Sequence, residues 1–119
     1  MYKILYYQTV RGTNPVDEFL LELDRKTRAK VIRYIDYLAE HGPNLVRPYA
    51  DIVRGKIREL RVKFSHNNVR ILYFFFVEHE IILVHGFLKK TQAIDPSEIE
   101  TAERRMEDWI ARTTKGDSR

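Results

Sequence analysis

Residues 56–90, KIRELRVKFSHNNVRILYFFFVEHEIILVHGFLKK, predict three consecutive β-strands joined by two short turns. Apolar and polar residues alternate over residues 60–65, as in a strand with one solvated face. Residues 69–77 are almost entirely apolar, which is typical of a central strand covered on both faces. Residues 81–88 form the next apolar run. The connections are short and contain turn-forming residues, so we expect the three strands to pair antiparallel.

The residues before this stretch predict one strand and two helices. Residues 2–7 have the aromatic and aliphatic composition of a strand. Asn14 is suited to cap a helix that begins at Pro15. A second helix is predicted from about residue 24 or 27 to about residue 40, where His-Gly-Pro ends it. The two helices are expected to form an antiparallel hairpin that packs on a sheet.

The remaining segments complete a βααβββα order. Residues 44–55 show no sustained period and are expected to be irregular. Asp95-Pro96 predicts the start of a C-terminal helix with an apolar stripe. Residues 113–119 are expected to be a polar tail after a single domain formed by residues 1–112. The predicted fold class is α+β, with helices on one side of a mostly antiparallel sheet.

The composition is that of one ordinary globular domain. The chain has 119 residues and no cysteine, which excludes disulfides and thiolate metal sites. The N-terminal residues lack the pattern of a secretory signal, and the longest apolar run, residues 71–77, is too short to span a bilayer. We therefore expect a soluble cytoplasmic protein without a membrane partner.

Charge is segregated along the chain. The formal net charge is +4, but residues 54–70 are strongly basic and residues 95–108 are mainly acidic. This separation predicts a positive side that could bind an anionic partner. No glycine-rich phosphate loop, HExxH motif or nucleophile elbow is present. Simple binding, or chemistry without a metal or cofactor, is the remaining expectation.

The candidate site is a set of basic residues on the predicted meander. If they converge on one face, they could bind phosphate; the alternative is a solvated outer face of the sheet. Arg61 and Arg70 can be cross-strand neighbours around the turn. The start of the second strand and the end of the third, with Lys89 and Lys90, are expected at opposite ends unless twist or register intervenes. His85 lies in an apolar strand, where a core histidine is the simpler interpretation.

Five sequence segments together resemble one family of proteins. They are NPVDEFLLEL at 14–23, L-x-E-x-G at 38–42, IRELRV at 57–62, VRILYFF at 69–75 and ILVHGFLKKTQAIDPSEIETA at 82–102. In this order they resemble the phage-derived HigB-like branch of RelE-type toxins over about residues 2–112.

This resemblance implies a RelE-like, microbial-ribonuclease-like fold with a helical hairpin on one side of the sheet and a C-terminal helix. It implies the toxin of a type II toxin–antitoxin system, an endoribonuclease that cuts mRNA in the ribosomal A site without a metal or cofactor. Its partners would be mRNA, the ribosome and a cognate helix-turn-helix antitoxin. The attack of a 2′-hydroxyl on the adjacent phosphate builds negative charge that guanidinium and ammonium groups stabilise.

The resemblance also implies roles for individual residues. The catalytic set carried over is Arg61, Arg70, Lys90 and His85. The RNA-binding set is Arg58, Lys63, Lys89 and Lys56.

Two departures from the family pattern bear on catalysis. Glu59 stands where some relatives carry a basic residue, and no Tyr or His follows Lys90 to act as an obvious general acid or base. His66 and His85 are the ordinary candidates for proton transfer near neutral pH. One alternative function is a non-catalytic RNA- or ribosome-binding module with the same basic face. Another is a small interaction protein with no RNA role.

Overall fold

The structure is a computed structural model that describes residues 1–117. It contains five strands, three α-helices and one short 3₁₀-helix. In chain order these elements are β1 (Lys3–Tyr6), α1 (Pro15–Glu22), α2 (Arg25–His41), the 3₁₀-helix (Gly42–Asn44), β2 (Ala50–Arg54), β3 (Ile57–Phe64), β4 (Asn67–Phe76), β5 (Glu80–Leu88) and α3 (Pro96–Asp117).

The five strands form one sheet in the order β1-β5-β4-β3-β2. β1 runs parallel to β5, and the other three pairs are antiparallel. The predicted α+β class and the mostly antiparallel meander are therefore confirmed. The expectation that residues 44–55 are irregular is wrong for residues 50–54, because β2 pairs with β3 through Asp51 opposite Glu59. β2 is an edge strand with one neighbour, so it does not need the apolar run that marks a central strand.

Helices cover both faces of the sheet, which corrects the expectation that they lie on one side. Val69 and Ile71 of β4 pack with the α1–α2 hairpin, whereas Leu72 and Phe74 belong to a second core under α3. Successive side chains of a strand point to opposite faces. A central strand that is apolar on both faces must therefore be covered twice, and α3 supplies the second cover.

The three predicted helix starts are confirmed by their caps. The Asn14 side chain accepts a hydrogen bond from Asp17 N at 3.1 Å, and Asp24 accepts from Thr27 N at 3.1 Å. Asp95 Oδ1 accepts from Ser97 N at 2.9 Å, immediately before α3. α3 extends to Asp117, into the segment predicted as a polar tail, whose last two residues lie outside the described part. Within residues 1–117, no helix has both the length and the apolar character needed to cross a membrane.

A bulge in β5 decides the direction of His85. The register between β4 and β5 shifts between Leu72 and Tyr73: Leu72 pairs with His85, but Tyr73 pairs with Leu83. Val84 is the extra residue, and strict alternation from Leu83 would have turned His85 toward the α1–α2 face. With the bulge, His85 reaches Glu98 and Arg105 of α3 instead.

Candidate functional site

Arg61 and Arg70 lie directly opposite each other on β3 and β4, as the short turn between these strands predicted. Both guanidinium groups reach Glu59. Arg61 Nη1 donates a hydrogen bond to Glu59 Oε2 at 3.0 Å, and Arg70 Nε lies 2.8 Å from Glu59 Oε1. The second contact lacks hydrogen-bond alignment, so it is an ion pair. One carboxylate therefore holds two arginines, and the group keeps one net positive charge.

The two arginines differ in exposure. Arg70 is only 4% exposed, and its Nη1 also donates to Asn68 Oδ1 at 2.9 Å and to Val69 O at 3.2 Å. Burial lowers the pKa of Arg70, an effect that the charge of Glu59 opposes. The Arg61 side chain is 28% exposed. Arg61 is thus the arginine that can contact a bound molecule directly. Arg70 lies beneath it and contributes a fixed positive charge.

Arg61 and Arg70 line a cleft of about 390 Å³ at the end of β3. We call this the basic cleft. The rest of its lining comes from α2, the segment before β2, and the β3–β4 pair, and comprises Lys30, Tyr34, Pro48, Tyr49, Val62, Lys63 and Asn68. Within the described residues, none of the lining side chains is acidic. Four cationic side chains in one concavity give the positive potential that attracts phosphate.

Lys63 and Lys30 form the outer wall of the basic cleft. Lys63 is exposed near the end of β3, and its carbonyl oxygen accepts a hydrogen bond from Lys30 Nζ at 2.5 Å. The Lys30 ammonium also lies 5.7 Å from the ring centroids of Tyr34 and Phe64. These contacts join α2 to the edge of the sheet and hold the cation at the cleft.

Lys89 and Lys90 lie at the same end of the sheet as Arg70, which corrects the expectation of opposite ends. Antiparallel strands run in opposite directions, so the start of β4 lies beside the end of β5. Val69 pairs with Leu88, and Lys89 N donates to Asn68 O at 2.7 Å.

An open concavity of about 620 Å³ contains both lysines and shares Asn68 with the basic cleft. Lys90 is exposed in it. The Lys89 ammonium instead donates to the carbonyls of Thr91 and Gln92 at 2.8 and 2.7 Å, closing the turn that leads to α3.

Two of the predicted RNA-binding residues lie away from the basic cleft. Arg58 points to the α1–α2 face, where its guanidinium lies 5.1 Å from the Phe75 ring centroid. Lys56 is in the β2–β3 turn, five residues before Arg61, which is about 17 Å along a strand. The structure therefore separates these two side chains from the other candidates.

His85 is placed under α3 and not in the basic cleft. Arg105 Nη1 lies 3.1 Å from Nδ1 of His85, and Glu98 Oε1 lies 2.8 Å from its Nε2. Because arginine can only donate, Nδ1 must accept, and the neutral ring carries its proton on Nε2 toward Glu98. Burial lowers the pKa of His85, and Glu98 opposes that effect. The Phe87 ring is stacked on the imidazole at a centroid distance of 5.5 Å.

The other histidine candidate, His66, is exposed in the turn between β3 and β4. Its Nδ1 lies 3.2 Å from the hydroxyl of Ser65. In residues 1–117, no group of three or more His, Asp or Glu side chains is arranged to hold a metal ion.

Several contributors to the site were not among the sequence candidates, and Asn68, which accepts a hydrogen bond from Arg70, is one of them. Lys30, Tyr34 and Tyr49 line the cleft, and Glu59 pairs with both arginines. Strand alternation offers a signal for Glu59, since it is two residues from Arg61 and shares its face. Lys30 and Tyr34 reach the cleft through the packing of α2 against the sheet, and Tyr49 reaches it from the segment before β2. No local pattern indicates either arrangement.

The architecture, a five-stranded mostly antiparallel sheet with a helical hairpin and a C-terminal helix, is compatible with a RelE-like toxin fold. A model of the family described as "Phage derived protein Gp49-like (DUF891)" matches residues 18–107. This match covers most of the chain, and the chain belongs to that family. The family is associated with toxins of the RelE/HigB type from toxin–antitoxin systems. A search of curated proteins finds no significant match to the chain.

Proposed function

We propose that this chain is the toxin of a type II toxin–antitoxin system that cleaves ribosome-bound mRNA without a metal and is neutralised by a cognate antitoxin. The observation that carries the proposal is the basic cleft, where Arg61, Lys63 and Lys30 surround an open volume beside the buried Arg70. Membership of the Gp49-like family supports the toxin assignment.

The arrangement suits phosphate binding in the cleft. Arg61 uses one nitrogen for Glu59 and keeps further N–H donors for a phosphate group. Arg70, fixed by Glu59 and Asn68, adds a positive charge that does not need to reorganise during the reaction. Lys63 and Lys90 extend the positive surface on both sides of Asn68. A single RNA strand passing over Asn68 would contact Arg61, Lys63 and Lys90 through its backbone, with the charge of Arg70 beneath them.

In the proposed reaction, a ribose 2′-hydroxyl attacks the adjacent phosphorus and the bond to the 5′-oxygen breaks. The products are a 2′,3′-cyclic phosphate and a free 5′-hydroxyl, and the proton lost by the nucleophile is balanced by the one gained by the leaving oxygen. Negative charge develops on the non-bridging phosphate oxygens. Guanidinium groups stabilise that charge because they present paired N–H donors in a plane.

One observation favours a second candidate, a non-catalytic RNA- or ribosome-binding module with the same basic face. Both ring nitrogens of His85 are engaged with α3, so this histidine is occupied by contacts within the protein. A module of this kind would arrest translation by occupying the ribosome without cutting the message.

The test is induced expression of the wild-type chain beside Arg61→Ala and Arg58→Ala, with growth measured and transcript ends mapped in the same cells. The proposal expects growth arrest with new 5′-hydroxyl ends, weakened by Arg61→Ala and retained by Arg58→Ala. Co-expression of the antitoxin should restore growth, and purified ribosomes with mRNA should give the same ends. Arrest without new ends would select the binding module, and no arrest from a folded protein would exclude both.

A further inference from the structure

Three tyrosines form a cluster at the wall of the basic cleft. Tyr34 and Tyr37 are on α2, and Tyr49 comes immediately before β2. The Tyr49 ring centroid lies 5.4 Å from that of Tyr34 and 6.1 Å from that of Tyr37, with interplanar angles of 60° and 82°. The rings therefore meet edge to face. Tyr34 and Tyr49 line the basic cleft, and Tyr34 and Tyr37 pack against the core.

The backbone around Tyr49 is held in place by hydrogen bonds. Tyr49 N donates to Val46 O at 2.9 Å, and Tyr49 O accepts from Arg61 N at 2.7 Å. The second bond joins Tyr49 directly to the residue that presents the cleft guanidinium. The backbones that carry the Tyr49 ring and the Arg61 guanidinium are thus joined by one hydrogen bond.

Tyr49 is 38% exposed although two other tyrosines surround it. Tyr49 lines the basic cleft together with four cationic side chains, those of Lys30, Arg61, Lys63 and Arg70. A ring that served only the core would be covered, as Tyr73 is. An accessible aromatic ring beside phosphate-binding cations is the combination that proteins use for unpaired nucleotides, with cations tracking the backbone and rings stacking on bases.

We propose that Tyr49, supported by Tyr34, is a nucleobase-stacking subsite for one unpaired RNA nucleotide in the basic cleft. The nucleotide's base stacks on the Tyr49 ring while its phosphate contacts Arg61 and Lys63. The inference rests on the proposed function for the choice of RNA as ligand. It adds a subsite that binds a base only when that base is unpaired. Stacking uses the π face that every base has, so the subsite tolerates different bases.

The experiment measures binding of a fluorescein-labelled single-stranded 2′-O-methyl decanucleotide, which cannot be cleaved because its nucleophile is blocked. The proteins are wild type, Tyr49→Phe, Tyr49→Ala and Ile52→Ala. Ile52 is a matched control because it is an exposed apolar residue nearby that does not line the basic cleft. The probe is also made with a single abasic site at each position in turn.

Tyr49→Ala should bind roughly 5- to 150-fold more weakly, the usual effect of removing one stacked base. Tyr49→Phe and Ile52→Ala should bind like wild type. One abasic position should weaken wild type by a similar factor and leave Tyr49→Ala unchanged. The abasic series uses only the wild-type fold, so it tests the subsite even if Tyr49→Ala fails to fold.

Two results would overturn the subsite alone: wild-type affinity of folded Tyr49→Ala, or equal decreases in affinity for Tyr49→Phe and Tyr49→Ala, which would assign the effect to the hydroxyl. No abasic effect at any position in wild type would do the same. If wild type itself does not bind the probe in a salt-dependent manner, the RNA function and the subsite fail together.

Discussion

Arg61 and Arg70 face each other across β3 and β4, and the two oxygens of Glu59 contact one guanidinium each. Like charges directly opposite on a sheet repel. The carboxylate of Glu59 lowers the cost of this repulsion. The two arginines differ in exposure, because Arg70, bonded to Asn68, is buried, whereas Arg61 is accessible from the basic cleft.

Glu59→Gln should destabilise the fold strongly. Glu59 is 6% exposed and Arg70 is 4% exposed, so the substitution leaves a buried guanidinium without its counter-charge. Breaking a buried ion pair on one side typically costs about 3–5 kcal/mol. Urea unfolding followed by circular dichroism should show this decrease in the free energy of unfolding.

Asp51→Asn is the matched control, because Asp51 forms an ion pair with Arg47 at the surface. It should leave the urea midpoint nearly unchanged. Equal midpoints for the Glu59 and Asp51 variants would contradict the role assigned to the buried pair.

Arg61→Ala should weaken RNA binding without unfolding the protein. Removing one cation that neutralises a phosphate of a single strand lowers the slope of log affinity against log salt by about 0.7. Fluorescence anisotropy with a single-stranded oligoribonucleotide, over a series of salt concentrations, measures that slope.

Arg58→Ala serves as the control for this slope, since Arg58 is on the same strand but on the opposite face, over Phe75. Its affinity and slope should match those of wild type. An equal decrease in affinity and slope for Arg61→Ala and Arg58→Ala would mean that RNA does not bind preferentially to the face with the basic cleft.

Local chemistry accounts for what the sequence predicted well. The three capping residues Asn14, Asp24 and Asp95 act within their own turns, and the tight connection between β3 and β4 sets the pairing of Arg61 with Arg70. Such features depend on neighbours a few residues apart.

The features that the sequence did not predict depend on packing over long distances. β2 is an edge strand whose side chains are mostly accessible, so it lacks an apolar signature. The bulge at Val84 turns His85 toward α3, and alternation alone would have placed it on the other face. Tyr34 and Tyr49 meet only after α2 packs against the sheet. The sequence therefore indicated the two arginines of the candidate site but not the aromatic wall beside them.

Lys90→Ala and Lys89→Ala should have different effects although the residues are adjacent. Lys90 is exposed in the concavity that shares Asn68 with the basic cleft, so its removal should lower the salt slope by about 0.7. The Lys89 ammonium is bonded to the carbonyls of Thr91 and Gln92. Lys89→Ala should instead keep the slope and increase protease cleavage in residues 89–95. A lower salt slope for Lys89→Ala, with increased protease cleavage for Lys90→Ala, would show instead that Lys89 is the phosphate ligand.

His85 should make the stability of the protein depend on pH. Burial lowers the pKa of His85 in the folded state, so the unfolded chain binds this proton more tightly. The stability contributed by neutral His85 is complete above the unfolded pKa of about 6.5 and decreases as the pH falls below it toward the lower folded pKa. Protonation also places a hydrogen on Nδ1, where Arg105 now donates, and this breaks a link between β5 and α3.

His85→Gln should therefore reduce the difference in urea midpoint between pH 8 and pH 5.5, while the variant is less stable than wild type at pH 8. His66→Gln is the control, because His66 is exposed in a turn. It should keep the wild-type difference. If His85→Gln shows the full wild-type decrease in stability on acidification, another group controls it, and the contact of His85 with Glu98 and Arg105 is not the pH-sensitive link.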